Sequence, residues 1–185
     1  LFLALVANGA SSSQACTSLR VKTTDGGIFY ARTMEFPTSP KAVVAVFPRG
    51  TAMRGTLPDG KDGGLAWTVK YGFVGMRDYA PPIVSDGMNE KGLVVGMLLF
   101  PGFAGYQPFE QALAAKTIAN FDVANWMLAS FATVDEVREG LKGIRVREAP
   151  LPLPGGASLP LHYVVHDAAG GCIVVEYTDG QLKVY

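Results

Sequence analysis

Cys16 carries a nucleophilic thiol and directly follows a segment that a signal peptidase could cleave. Ser13-Gln14-Ala15 places small residues at both positions that a signal peptidase reads. Cleavage there would free the α-amino group of Cys16, a group whose ordinary pKa of about 7.7–8.0 is close to neutral pH. That amine can take the thiol proton directly or through water, so one residue would supply both nucleophile and base. The pattern therefore predicts an N-terminal cysteine nucleophile.

Arg32 and Glu35 are the residues that could support this thiol. Residues 17–22 and 28–32 lie on either side of a glycine turn, which predicts a hairpin that brings Arg32 beside Cys16. A guanidinium near a thiol favours the thiolate, and Glu35 could orient the amine or Arg32. The alternative is an ordinary thiol and a surface Arg32–Glu35 ion pair that contributes under ~1 kcal/mol.

The first 15 residues have the features of an export signal. Residues 1–7 are apolar, but seven residues cannot cross a bilayer, which takes about 20 in a helix. We expect residues 1–15 to be a signal peptide whose start lies upstream, and residues 16–185 to form one domain that is incomplete at its C-terminus. Two alternatives stay open, namely an apolar N-terminal strand and a lipoprotein signal that would acylate Cys16.

Composition excludes several classes of function. The chain is 49% hydrophobic, and its 16 Lys+Arg balance its 16 Asp+Glu, so it offers no basic stripe for nucleic acid and no polybasic segment for anionic lipid. Because the N-terminal apolar run is too short to span a bilayer, we also expect no stable membrane insertion. His162 and His166 are four residues apart on a predicted strand, about 13 Å, too far to share a metal ion. We therefore expect no metal and no cofactor. Cys172 is predicted to be a buried strand residue, although a disulfide with Cys16 would also be compatible with export and would block the nucleophile.

The hydrophobic pattern predicts strands, then helices, then strands, which indicates an α+β fold of layered antiparallel sheets with helices outside. The pattern predicts two helices, one capped by Asp122 and one by a capping box of Thr133 and Glu136. The other predicted elements are strands at 17–22, 28–32, 41–47, 66–73, 93–100, 162–166 and 172–177, another strand that starts at 178–180, a looser helix at 109–120, a loop at 50–64, a turn at 85–92 and a connector at 150–160.

Several motifs are similar to those of one family when taken together with their order and spacing. They are Cys16-Thr17-Ser18-Leu19, the stretch from Phe29 to Phe36, Asp86 to Leu93, Phe100-Pro101-Gly102, and the later residues Leu161-His162-Tyr163, Ile173 to Glu176 and Asp179-Gly180. The chain resembles the choloylglycine hydrolase family, which contains bile salt hydrolases and penicillin V acylases, over residues 16–185. The resemblance implies the four-layer αββα fold of N-terminal nucleophile hydrolases, with only the N-terminal half to two-thirds of it present. It also implies hydrolysis of a non-peptide C–N amide through an acyl-enzyme on Cys16.

The resemblance assigns catalytic roles to Cys16 as nucleophile and to Arg32 beside it. Glu35 falls where most members have Asp, although members that resemble the Gram-negative branch carry Glu there. Leu99 falls where bile salt hydrolases have Asn and some penicillin acylases Tyr, so only its backbone N–H could serve an oxyanion hole. Losing one such donor can cost ~10²–10³ in rate. Asn89 could substitute as a donor, although its context favours a turn.

The resemblance also sets expectations for substrate, location and assembly. A catalytic Asn and a second Arg are expected beyond Tyr185, and a homotetramer is an assembly that the resemblance allows. Penicillin V and N-acyl homoserine lactones rank slightly above conjugated bile salts as substrates, in the periplasm or medium of a Gram-negative bacterium. The alternatives are a secreted or lipid-anchored binding protein without catalysis, and an inactive fragment. An apolar acyl pocket could be lined by Phe36, Met76, Tyr79, Phe100 and Phe103.

Overall fold

The structure is a computed structural model that describes residues 16–35, 41–78, 83–151, 156 and 158–185 of the 185-residue chain. The predicted signal peptide and two of the residues proposed for the acyl pocket, Phe36 and Tyr79, lie outside the described residues. So does part of the predicted connector at 150–160.

The described residues form thirteen strands and two α-helices. The helices are α1 (Val123–Ser130) and α2 (Val134–Leu141). The strands are β1 (Ser18–Lys22), β2 (Ile28–Arg32), β3 (Val43–Phe47), β4 (Ala52–Thr56), β5 (Asp62–Thr68), β6 (Phe73–Asp78), β7 (Ile83–Asn89), β8 (Val94–Leu99), β9 (Thr117–Ala119), β10 (Arg145–Arg147), β11 (Leu161–His166), β12 (Cys172–Thr178) and β13 (Gln181–Val184).

A seven-stranded antiparallel sheet is the centre of the molecule. Its strand order is β13-β12-β11-β8-β7-β6-β3, and each neighbouring pair runs antiparallel. Two antiparallel hairpins, β1–β2 and β4–β5, and the short parallel pair β9–β10 form separate two-stranded sheets. The β1–β2 turn closes where Gly26 adopts a φ of +89° and donates its N–H to the carbonyl of Thr23 at 3.0 Å.

The two helices cover one face of the central sheet, which we call the helix side. Helix α1 packs on β7 and β8, with Met127 and Leu128 fully buried. Helix α2 is amphipathic and turns Val137 and Leu141 into the same core. Strand alternation places Val95, Tyr163 and Val175 on this face, and all three are fully buried.

The opposite face carries the β1–β2 hairpin, and we call it the hairpin side. Asp86 and Gly96 lie opposite each other on β7 and β8 and point to this side, where Tyr30 and Arg32 of β2 meet them. Farther along, towards β3, the same face is open to solvent, and Val46 is 71% exposed. The described residues therefore form three layers: helices, the central sheet and a two-stranded sheet.

Several predicted elements are confirmed. The β1–β2 hairpin, β8, the last three strands and both helices lie close to their predicted positions. Thr133 caps α2 by accepting the N–H of Glu136 at 3.2 Å. The capping box is incomplete, because the carboxylate of Glu136 accepts the N–H of Ala132, at 2.7 Å, rather than that of Thr133. Asp122 does not cap α1 with its side chain.

Other predictions are wrong. Residues 50–64, predicted as a loop, contain β4 and the start of β5, and the strand predicted at 66–73 falls across the end of β5. Residues 85–92 are mostly strand β7, and only the end is a turn. The looser helix at 109–120 is a short 3₁₀ helix, Gln111–Lys116, followed by β9. Cys172, predicted to be buried, is exposed, because β12 turns it to the hairpin side. Both cysteines are free.

Candidate active site

The β1–β2 hairpin places Cys16 beside Arg32. Ser18 pairs directly with Arg32, and one residue farther the N–H of Thr33 donates to the carbonyl of Thr17 at 2.9 Å. A second bond runs from the N–H of Thr17 to the hydroxyl of Thr33 at 3.1 Å. Strand alternation then places Cys16 and Arg32 on the same face of the hairpin as diagonal neighbours. The distance between diagonal neighbours is one that a long side chain such as arginine can bridge. Cys16 itself is half-buried.

Arg32 is held by two hydrogen bonds to the central sheet. Its Nη1 donates to Asp86 Oδ2 and its Nη2 donates to the carbonyl oxygen of Met97, each at 2.9 Å. The pair is nearly dry, with 9% of the Arg32 side chain and 14% of the Asp86 side chain exposed. The Nε atom of Arg32 is buried and has no hydrogen-bond partner among the described residues. Two of the five N–H donors of the guanidinium are thus engaged, and the buried Nε–H is among the donors that remain.

Asp86 also accepts a hydrogen bond from Tyr30. The Tyr30 hydroxyl donates to Asp86 Oδ1 at 2.9 Å, so the two carboxylate oxygens serve two different residues of β2. Burial raises the pKa of Asp86, while the Arg32 charge and the Tyr30 bond oppose that rise. Burial raises the pKa of Tyr30 too, and the Asp86 charge and hydrogen bond add to the rise.

Gly96 makes room for this network. A Cβ at position 96 would collide with the Tyr30 hydroxyl and would come within 2.9 Å of Asp86 Oδ1. Real Cβ atoms do not approach so closely, so any side chain here would displace Tyr30 or Asp86. The hairpin can dock against the sheet at this depth because β8 carries a glycine at this position.

The structure does not bring Glu35 to Arg32. Glu35 is exposed and makes no hydrogen bond or ion pair with the described residues, so its predicted role stays a prediction. The carboxylate that meets Arg32 is Asp86, which sequence reasoning missed. Asp86 is the first residue of the motif Asp86 to Leu93, which carries part of the family resemblance. The sequence of this segment predicts a turn, and a turn gives no reason to pair Asp86 with Arg32.

Asn89 and Leu99 have structural surroundings. The Asn89 side chain accepts the N–H groups of Lys91 and Leu93 and donates to the carbonyls of Leu128 and Phe131, at 2.7–3.0 Å. These bonds use its whole donor capacity, so it has no free N–H for a substrate, and its turn-forming role is confirmed. The Leu99 side chain packs against the core on the helix side.

An open cavity adjoins the Tyr30–Arg32–Asp86 group. It measures about 360 Å³ and is otherwise lined by apolar side chains: Ala31, Met34, Ala42 and Met76. A second cavity of about 470 Å³ shares Tyr30, Met76 and Asp86 with it. Met76, one of the residues predicted to line an acyl pocket, lines both cavities, and its role in binding stays a prediction.

Phe100 and Phe103 belong to a separate aromatic group. They stack on each other with ring centroids 5.3 Å apart, and Phe100 also stacks on His162 at 4.8 Å. His162 Nδ1 lies 3.7 Å from Glu176, and burial lowers the pKa of this histidine. Among the described residues, no three acidic, histidine or cysteine side chains are arranged to hold a metal ion. No described helix has the length and apolarity to span a membrane.

Comparison with known proteins gives this geometry a context. The family model of linear amide C–N hydrolases of the choloylglycine hydrolase family matches residues 16–185. The chain belongs to this family. The match begins at Cys16, and the predicted family resemblance is confirmed.

Relatives in this family include a bile salt hydrolase/transferase from Clostridium perfringens, 33% identical over 178 residues, and one from Bifidobacterium longum subsp. longum, 28% identical over 167 residues. These alignments cover 92% and 89% of this chain and 50% of each relative. The chain spans about half the length of the curated relatives it matches.

Solved structures of the family have the same fold. A variant of the conjugated bile acid hydrolase from Clostridium perfringens superposes with a TM-score of 0.77 at 30% identity, covering 92% of this chain and 50% of that one. Penicillin V acylase from Agrobacterium tumefaciens gives a TM-score of 0.73 at 26% identity, covering 91% and 48%. The fold is that of N-terminal nucleophile hydrolases, and the described layers are part of its αββα arrangement.

Proposed function

We propose that Cys16 is the N-terminal nucleophile of an amidohydrolase that cleaves a non-peptide C–N amide. The observation that carries the proposal is the hairpin register, which sets Cys16 on the same face as Arg32, an arginine that is itself held against the central sheet. A cation fixed near a thiol favours the thiolate, and a free α-amino group supplies the base.

The reaction would follow two balanced steps. The Cys16 thiolate attacks the carbonyl carbon, an S–C bond forms, the C–N bond breaks, and the α-ammonium gives its proton to the leaving amine. Water then attacks the thioester, releases the carboxylic acid and restores the thiol. The sum is amide plus water to acid plus amine, with no redox change.

The substrate would carry a bulky apolar acyl group, because the cavities beside Tyr30 and Asp86 are otherwise lined mainly by apolar side chains. Penicillin V, N-acyl homoserine lactones and conjugated bile salts are the candidates. The relatives act on bile salts by name, and a structural neighbour is a penicillin V acylase. We propose export to the periplasm or medium as well, because a free N-terminal Cys16 requires removal of the preceding residues.

The test is to express the protein from its complete reading frame, sequence its N-terminus and assay the three substrate classes. We expect the mature chain to start at Cys16, iodoacetamide to inactivate it, and Cys16→Ser to lose nearly all activity. Full activity in Cys16→Ala would exclude the mechanism. A diacylglyceryl mass increment on Cys16 would instead support the lipid-anchored alternative.

A further inference from the structure

We propose that Asp86 is a positioning residue for this nucleophile, acting through Arg32 and Tyr30 rather than on the substrate. The inference rests on the proposed function for its meaning in catalysis. Its structural basis is the pair of hydrogen bonds by which one carboxylate holds two side chains of β2, each at 2.9 Å.

The two bonds fix the hairpin in two directions. Tyr30 and Arg32 are two residues apart on β2, on the face that looks at the central sheet, and Asp86 lies between them on β7. Two contacts along one strand hold that strand against both sliding and tilting. Since Cys16 is joined to β2 through the Thr17–Thr33 hydrogen bonds, its position relative to the sheet depends on the same carboxylate.

Asp86 also explains why the guanidinium of Arg32 can be buried. An isolated charge at 9% exposure is unfavourable, and removing one partner of such a pair leaves the other uncompensated. The carbonyl of Met97 offers a dipole but no charge. Without the Asp86 carboxylate, Arg32 is therefore expected to leave for solvent, and the thiol loses its neighbouring cation.

The test measures Cys16 alkylation against pH, with iodoacetamide as the probe and mass spectrometry of the N-terminal peptide. Cys172 is exposed and supplies an internal reference in every sample. The variants are Asp86→Asn, Arg32→Gln, the double variant and Tyr30→Phe. Glu90→Gln is the matched control, since Glu90 also receives an arginine, Arg49 at 2.6 Å, but in an exposed pair. The other charged and titratable groups near this site are Arg20, which pairs with Tyr30, His166, whose ring lies against Tyr30, and the exposed Glu35. Arg20 stays charged throughout, so the pH range is chosen to cover the titration of His166.

We expect Asp86→Asn to raise the pH of half-maximal Cys16 alkylation, with alkylation at pH 7 slowed about tenfold for each unit of that rise. Arg32→Gln should give a similar rise, and the double variant no more than either, because both changes remove the same interaction. Tyr30→Phe should give a smaller rise in the same direction. Cys172 and the Glu90→Gln protein should stay unchanged.

An unchanged or lower midpoint in Asp86→Asn, or additive rises in the double variant, would overturn the proposal. If Asp86→Asn does not fold, which thermal melting would reveal, Tyr30→Phe alone decides in the same way. The alkylation needs no substrate. A protein that hydrolyses none of the three substrates would contradict the proposed function and still give a decision on Asp86.

With an active enzyme, kcat adds a second readout. Misplacing the thiol should lower kcat about 10²-fold in Asp86→Asn. The change in KM should be smaller, because both carboxylate oxygens of Asp86 already accept hydrogen bonds, from Tyr30 and from Arg32. Asp86→Glu, which keeps the charge, should recover part of the loss. A change confined to KM would contradict a positioning role.

Discussion

On the helix side of the molecule, Asp122 is a buried carboxylate whose hydrogen-bond donors are uncharged. It accepts the N–H groups of Thr56 and Ala119 at 2.7 and 3.2 Å, and burial raises its pKa to about 6. On the hairpin side, Asp86 is also buried, but one of its two donors is the guanidinium of Arg32. Asp86 is therefore bonded directly to a charged group that lies beside the thiol. Asp122 is instead bonded to backbone N–H groups, and the buried guanidinium of Arg147 acts on it only through its charge.

The same contrast appears in exposure. The helix side has a continuous core in which Leu128 and Val165 have no exposed surface. The hairpin side is covered only where β1–β2 lies on it, and Val46 and Val74 remain 71% and 43% exposed. Substitutions that separate the two sides are the most informative experiments.

Leu128→Ala should have the largest effect on stability. Its side chain is fully buried between α1 and β7, so truncation leaves a cavity, and we expect a loss of about 2–5 kcal/mol in the free energy of unfolding. Val46→Ala on the exposed face is the control and should cost less than about 0.5 kcal/mol. Urea unfolding of both variants measures the two losses in the free energy of unfolding. Losses of similar size would show that the two faces of the sheet do not differ in their contribution to stability.

Asp122 should give the protein a pH dependence of stability below pH 6. Because its folded pKa, about 6, is higher than that of an unfolded aspartate, about 3.9, the folded state binds the proton more tightly. Stability contributed by Asp122 therefore falls as pH rises from about 4 to about 6, by up to roughly 3 kcal/mol, and is flat above pH 6.

Unfolding of Asp122→Asn across this pH range checks the prediction. In the variant, the free energy of unfolding should no longer decrease between pH 4 and pH 6, whatever its value at pH 7. A variant with the same pH slope as the parent would show that other groups cause it.

Gly96→Ala should have a smaller effect on stability and a specific one on the site. The added Cβ would collide with the Tyr30 hydroxyl, and overpacking of this kind costs about 1–3 kcal/mol. Cys16 alkylation should shift with it, in the direction expected for Asp86→Asn. Gly72→Ala is the control, because the nearest atom to its new Cβ is 3.6 Å away, an ordinary contact. A Gly96→Ala protein with unchanged alkylation would indicate that the hairpin can retreat without moving the thiol.

Local patterns in the sequence predicted a large part of this structure. The hairpin that joins Cys16 to Arg32 has alternating strands and a glycine turn, and helix α2 has its cap and an apolar face. These signals lie within a few residues of each other. The sequence does not predict the β4–β5 hairpin, because its segment is polar and rich in glycine, which is typical of a loop. Two of those glycines, Gly55 and Gly64, let the hairpin approach the backbone of Thr117 closely, and a single sequence does not reveal that contact.

The partner of Arg32 could not be predicted in this way. Asp86 is 54 residues from Arg32, and their meeting depends on which face of β7 looks at the hairpin. A shift of one residue in register would have turned Asp86 to the helix side. The exposure of Cys172 has the same origin, since the sequence shows an apolar strand but not which of its faces is covered.

The 54-residue separation of Arg32 and Asp86 also bears on the order of events during folding. A hairpin closes a short loop, whereas pairing β2 with β7 requires a long one, and long loops close later. We expect the thiol and Arg32 to come together early, while the guanidinium still lacks its counter-ion and stays in water. Reactivity of the sulfur would then develop only once the central sheet has assembled, so that an unfinished chain carries an ordinary cysteine.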